Sequence, residues 1–326
     1  MNSPSQSSNY LNRDIKVAFI GAGYMCNEHI KVFSCINDVN LVGIYSRTRA
    51  KAQKIALKFP QLKVCSSVQE LYESTNADLV VISVSVESTE KICNLAFQFN
   101  WKLLVEKPVG INHRQALRIE QKAFESGSEV FVALNRRFYS STLRLKNVLE
   151  HYPNRRIVNV NDQQDLNIAK KMGFNKLVLK NWMYANSIHL IDYFSIFCRG
   201  NHDSTEILEK WDPDNPSVVI AKLNYSSGDI GLFQSFWNCS SPWSVSLATE
   251  GMRAQLEPLE HISFQYGGSR EKFLYEEDNF DKNFKPGLYR QAYNLINKLR
   301  GNNSCSVSLK EANKSMNLTS NIFKVI

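Results

Sequence analysis

Ile15-Lys16-Val17-Ala18-Phe19-Ile20-Gly21-Ala22-Gly23-Tyr24-Met25-Cys26 is the stretch on which the fold turns. Six mostly apolar residues predict a buried strand, and Gly-x-Gly ends it in a tight turn. The first glycine permits the turn. The second lets a pyrophosphate approach the backbone, where a following helix N-terminus holds it. Cys26 takes the place of a third glycine and is small enough for the helix to pack close to the sheet. A Gly-x-Gly alone is weak; one that follows a strand and opens a helix is strong.

Outward from this turn, strands and helices alternate. Strands are predicted at Val39–Tyr45, Leu62–Cys65, Ala77–Val84, Lys102–Val105 and Val130–Leu134, with helices at Cys26–Ser34, Arg49–Lys58, Val68–Ser74, Thr89–Gln98 and Arg114–Ser126. Ala77–Val84 is nearly continuous in apolar residues, as in a parallel sheet covered on both faces. Regular β-α alternation predicts a doubly wound parallel sheet, an α/β fold. After about residue 140 the rhythm changes. Strands at Ile157–Asn161, Val218–Tyr225, Ile230–Asn238, Trp243–Thr249, Met252–Glu257 and His261–Gln265 follow one another through short turns and predict a large, mainly antiparallel sheet. Helices are predicted at Leu143–Glu150, Ser187–Phe197 and Leu288–Leu299. The expected organisation is a tail over 1–13, a dinucleotide-binding domain over 14–135 and a substrate and oligomerisation domain over 136–326, with the final helix packing back on the first domain.

The composition is that of a globular protein: 326 residues, 43% hydrophobic and 21% charged. No apolar run is long enough for a membrane span. The seven cysteines are scattered without a Cys-x-x-Cys pair, so a disulfide framework or a metal site is not expected, and free thiols suit the cytoplasm. The charge of +8 is spread along the chain, which argues against nucleic acid and suits an anionic small substrate.

The second strand runs into Ser46-Arg47. An acid there would hold a ribose diol. Serine and a guanidinium instead favour the 2′-phosphate of NADP, with NAD also admissible.

Together with these residues, Leu103-Leu104-Val105-Glu106-Lys107-Pro108-Val109-Gly110, Asn135-Arg136-Arg137-Phe138, Ser187-Ile188-His189-Leu190-Ile191-Asp192 and Phe284–Gln291 resemble the glucose-fructose oxidoreductase/inositol dehydrogenase (Gfo/Idh/MocA) family over nearly the whole chain after residue 14. The resemblance implies hydride transfer at a sugar or cyclitol carbon, on a free or nucleotide-linked sugar, by a homodimer or homotetramer. It implies a cis peptide before Pro108 that turns Lys107 toward the nicotinamide. Alcohol oxidation must move a proton from oxygen, and Lys107 and His189 are the candidate catalytic groups. Asp192, three residues on, faces His189 and can orient it.

The cofactor set is then Gly21, Gly23, Tyr24 and Met25 at the turn, Ser46 and Arg47 at the second strand, Ser83 and Ser85 after the fourth, and Glu106 with Lys107 after the fifth. For substrate the candidates are Asn135, Arg137, Trp182, Asn186, Asp192 and Tyr289: Arg137 for an anion, Trp182 for stacking on a ring. The chain departs from the family in two places. Ala185 stands where an Asp is usual, and Ser85 and Thr89 stand where Pro and His are frequent. A regulatory or scaffold homologue that binds cofactor without turnover is therefore the alternative.

Overall fold

The computed structural model describes residues 13–239 and 243–325; the expected tail, apart from Arg13, lies outside them. In chain order the first elements are β1 (Ile15–Ile20), α1 (Tyr24–Phe33), β2 (Val39–Tyr45), α2 (Arg49–Ala56), β3 (Lys63–Cys65), α3 (Val68–Thr75), β4 (Leu79–Ile82), α4 (Val86–Ala96), β5 (Lys102–Glu106), α5 (His113–Ser126) and β6 (Glu129–Ala133). They are followed by α6 (Ser140–Leu149), β7 (Ile157–Gln164), α7 (Leu166–Lys171), α8 (Lys176–Lys180), α9 (Ile188–Phe197), β8 (His202–Glu209), β9 (Val218–Tyr225) and β10 (Ile230–Trp237). The chain continues through β11 (Ser244–Thr249), β12 (Met252–Leu256), β13 (Ile262–Tyr266), β14 (Phe273–Tyr275), α10 (Asn279–Asn283), α11 (Leu288–Leu299) and α12 (Leu309–Phe323).

The chain forms two compact units. The first takes residues up to Gly110, Gln115–Asn135 and Asn283–Ala312. Its sheet is wholly parallel, in the order β3-β2-β1-β4-β5-β6. All four residues of β4 are buried, which is why that strand reads as an unbroken apolar run. Strand order reverses between β1 and β4, and the crevice at their carboxyl ends is where open α/β sheets bind ligands.

The expected single C-terminal domain is not continuous. Leu288, Ala292, Leu295, Ile296 and Leu299 of α11 join the core of the first unit with Cys26, Ile30 and Phe33 of α1. The last helix predicted, Leu288–Leu299, is this α11, and it lies in the first unit because its apolar stripe at i, i+4, i+7 and i+8 needs an apolar partner.

The second unit takes Ile111–Arg114, Arg136–Lys282 and Asn313 onward. Its eight-stranded sheet has the order β14-β13-β12-β11-β7-β10-β9-β8. Every pairing is antiparallel except β7 with β10, which run parallel from Ile157↔Ile230 to Gln164↔Trp237. The expected sheet is thus mixed at its centre. β7 finds its partner after the intervening helices and β8–β9, a distance that no turn signal reports.

Side chains alternate across this sheet. Phe233 and Trp237 are buried, with Phe323 of α12 edge-on to both and Phe194 of α9 edge-on to Phe233. Phe236, on the opposite phase, is 40% exposed. Of the three, Phe236 alone adds apolar surface to the face of the sheet opposite these helices.

Candidate active site

In the first unit a cleft of ≈ 610 Å³ lies over the carboxyl ends of β1, β2 and β4. Gly21 has φ +121°, and a Cβ there would sit 2.0 Å from the Ser83 carbonyl oxygen, so the turn admits only glycine. A Cβ on Gly23 would meet nothing within 4 Å, which leaves the backbone open to a ligand. α1 starts at Gly23 with no side-chain cap and no acid in its first turn. Its first N–H groups and its dipole favour an anion at this end. Cys26 donates to the Gly21 carbonyl at 3.2 Å and is fully buried; burial pushes its thiol up to about 12, so it closes the turn as a neutral small residue.

Gly21, Gly23, Tyr24, Met25, Ser46, Arg47, Ser83 and Ser85 all line this cleft. Thr48, Lys51, Ser88 and Lys91 line it too and escaped the sequence reading. For α4 the signal was helical spacing, since Ser88, Lys91, Ile92 and Leu95 share one face; Thr48 and Lys51 follow Arg47 as the cap and first turn of α2. Among the described residues, Arg47, Lys51 and Lys91 bring positive charge to the lining and no carboxylate does. A dinucleotide fits: a carboxylate-free cationic cleft, a turn with no room for a Cβ, and an uncapped helix N-terminus each suit phosphate.

β5 ends in Glu106, and the peptide between Lys107 and Pro108 is cis, as the resemblance implied. The Lys107 side chain is half-buried. Its backbone N–H donates to Glu106 Oε2 at 3.2 Å, while Glu106 Oε1 lies 2.7 Å from Nε2 of buried His29.

The other residues expected at the substrate are mostly engaged by protein. Asn135 is buried and donates to the Pro286 carbonyl at 2.9 Å, pinning the end of β6. Tyr289 stacks between Phe284 and Tyr293, with centroids at 5.3 and 6.3 Å.

In the second unit, Arg137 grips Asp192 with two bonds of 2.8 and 2.7 Å, and Ser315 of α12 donates to the same carboxylate at 2.6 Å. Arg137 thus holds Asp192 through Nε and Nη2, and the Asp192 carboxylate takes Arg137 and Ser315 as partners. A carboxylate 2% exposed needs such partners. Trp182 is buried, edge-on to Phe174, and its indole N–H donates to Gln164 Oε1 at 2.8 Å. Asn186 donates to the same oxygen at 2.8 Å. Both are anchored on β7; neither is a loose wall residue.

Asp162 is a buried acid that the sequence reading missed. Burial raises its carboxyl to about 6, against the hydroxyls of Ser187 and Ser235 and the Gln164 amide, which hold it down. Its signal was Val158, Val160, Asp162 and Gln164 on one phase of a strand, two apolar residues and then two polar ones turned inward.

His189 is half-buried at the start of α9, following a π-turn over Met183–Ser187. Among the described residues, no group of three or more His, Cys, Asp or Glu side chains is placed to hold a metal ion. No described helix is long and apolar enough to cross a membrane.

Residues 15–134 match the Gfo/Idh/MocA family model, an oxidoreductase family with an NAD-binding Rossmann fold. The family resemblance read from the motifs is borne out there. Inositol 2-dehydrogenase 4 of Saccharopolyspora erythraea is 25% identical over 140 residues, 42% of this chain and 41% of that protein. The chain thus matches about two fifths of the length of such curated relatives. A dehydrogenase from Chromobacterium violaceum has the same fold, with a TM-score of 0.82 at 15% identity over 96% of this chain and 95% of that one. So does UDP-N-acetylglucosamine 3-dehydrogenase from Acidithiobacillus ferrooxidans, with a TM-score of 0.75 at 13% identity over 96% and 98%.

Proposed function

We propose that this protein is an NADP-dependent oxidoreductase that moves hydride to or from the carbon of an alcohol or ketone on a sugar or nucleotide-linked sugar. The observation that carries this reading is the cationic, carboxylate-free cleft beside the Gly21–Gly23 turn, in a unit whose fifth strand ends in Glu106-Lys107-Pro108. A bound nicotinamide supplies the hydride donor or acceptor. Lys107, as the neutral amine, takes the alcohol proton; as the ammonium it returns it to a ketone oxygen and stabilises an alkoxide. His189 is proposed as a second proton carrier.

The substrate class rests on the inositol and UDP-N-acetylglucosamine dehydrogenases among the similar proteins. A second reading, cofactor binding without turnover, is favoured by Ala185 in place of the family's carboxylate and by the closed Arg137–Asp192 pair.

Fluorescence titration with NADPH and NADH tests the cofactor. The parent should bind NADPH more tightly, and Arg47→Ala should weaken NADPH by about 1.5–3 kcal/mol, the worth of a charge-assisted contact, while sparing NADH. Equal affinities untouched by the substitution would remove the NADP assignment. A screen of polyols and nucleotide sugars then separates the two readings: turnover supports the enzyme, and tight NADPH binding with no turnover supports the cofactor-binding homologue.

The open face of the large sheet, with Ile157 and Phe236 exposed and Ile220 and Leu232 half-buried, supports a homo-oligomer built through that face. Light scattering at micromolar concentration should give a dimer or tetramer; a monomer contradicts it.

A further inference from the structure

Glu106 has both carboxylate oxygens engaged. Oε1 meets Nε2 of His29 at 2.7 Å, and Oε2 accepts the backbone N–H of Lys107 at 3.2 Å. An ionised carboxylate only accepts, so the hydrogen between His29 and Glu106 sits on Nε2. His29 is fully buried, and the Glu106 side chain is 11% exposed. The imidazole lies beside Phe33, centroids 6.5 Å apart and planes inclined by 30°, and its Nδ1 is buried with no hydrogen-bond partner. Nothing else in α1 explains a histidine at this core position, where its neighbours Ile30, Val32 and Phe33 are apolar. A buried, unsatisfied Nδ1 costs stability, and an aliphatic residue would avoid it. What the ring supplies at this position is its Nε2 contact to Glu106.

The helix matters as much as the ring. α1 opens at Gly23, in the turn that takes a phosphate, and Cys26 ties its first turn to the Gly21 carbonyl. His29 lies one turn further along the same helix. One rigid element therefore carries the anion-binding end and, through Glu106, the main chain of Lys107.

From this geometry we propose that His29 is a positioning residue for Lys107: it fixes Glu106, which fixes the Lys107 amide and keeps the carboxylate turned away from the lysine ammonium. The proposal rests on Lys107 being the proton-transfer group, but the coupling can be read without turnover.

The test measures the pH midpoint of Lys107 acetylation by trace acetic anhydride, followed by mass spectrometry, in the parent and in His29→Leu, His29→Phe and His29→Gln. Freed from His29, Glu106 can swing toward its neighbour's ammonium and stabilise it. The midpoint should rise by about half a pH unit or more in the Leu and Phe variants, and the acid–base limb of any pH–rate profile should move with it. Turnover should fall about 10–100-fold for a misplaced group, with cofactor KM changed less than about threefold. His29→Gln places an amide N–H near the old Nε2 and should restore both readouts.

A Leu or Phe variant that folds and keeps the parent's midpoint overturns the proposal, even if it melts earlier. Failure of both variants to fold overturns it too, since His29 would then hold the fold rather than the lysine. A parent without turnover removes the enzymatic reading alone; a midpoint shift in that protein still supports the coupling.

Discussion

Lys107→Ala should cut turnover by about 10²–10⁴-fold, the usual worth of a positioned acid or base, and should leave NADPH affinity within about threefold. The second half follows from the structure. The residues lining the cleft come from the turn after β1, the ends of β2 and β4, and the helices α1, α2 and α4, and Lys107 is not among them. Losing its side chain therefore leaves the lining of the cleft intact. His189→Ala should lower turnover less, because Lys107 would still stabilise the alkoxide. Steady-state rates alongside fluorescence titration of the same preparations check this. Full turnover in Lys107→Ala would end the assignment, and a parallel loss of cofactor binding would recast the lysine as a binding residue.

Asp229→Ala should destabilise the second unit by about 2–4 kcal/mol, since it takes the acceptor from two backbone N–H groups and from a guanidinium that is 34% exposed. Asp229 is fully buried in the turn between β9 and β10. Its Oδ1 accepts from the Arg156 N–H at 2.9 Å and from Arg199 Nη2 at 2.7 Å; its Oδ2 accepts from the Arg199 N–H at 2.9 Å and Nε at 3.0 Å. Arg199 continues to the carbonyls of Pro153 and Asn154. One carboxylate thus gathers the start of β7, the loop after α9 and the β9–β10 turn, and its removal strands two N–H groups and a guanidinium.

Burial alone would raise this carboxyl, but the Arg199 guanidinium and the two backbone N–H groups outweigh it and hold the group down at about 2. A folded-state value below the unfolded one, about 3.9, gives stability that is present above pH 4 and lost as pH falls toward 2. Urea midpoints of the parent should therefore drop between about pH 4 and 2, and those of Asp229→Asn should fall less over the same window. A variant as stable as the parent at neutral pH would mean that the network contributes nothing.

Much of the fold was legible because it depends on local order. β1 and β2 were read to the residue, as were β9 and α11, since apolar runs bounded by turn residues carry their own limits. β8 and β14 were not predicted: β8 is charged and largely exposed, and all three residues of β14 are exposed, so neither shows an apolar phase. α7 and α8 have six and five residues, too few for a helical period to declare itself.

The sequence by itself determined the Gly21–Gly23 turn, Arg47 after β2 and the strand-terminal Lys107, because each needs only its neighbours in the chain to have its meaning. Tertiary structure alone decided what the polar groups do. Arg137 and Asp192 stand 55 residues apart, Trp182 and Gln164 18 apart, and His29 and Glu106 77 apart. A side chain's period says which face of its own element it occupies and nothing of the group that lies opposite. A carboxylate that looks free for catalysis in the chain is, once buried, obliged to take the nearest cation or N–H donor. That obligation paired Arg137 with Asp192, and joined the helix after the Gly21–Gly23 turn to the backbone of Lys107.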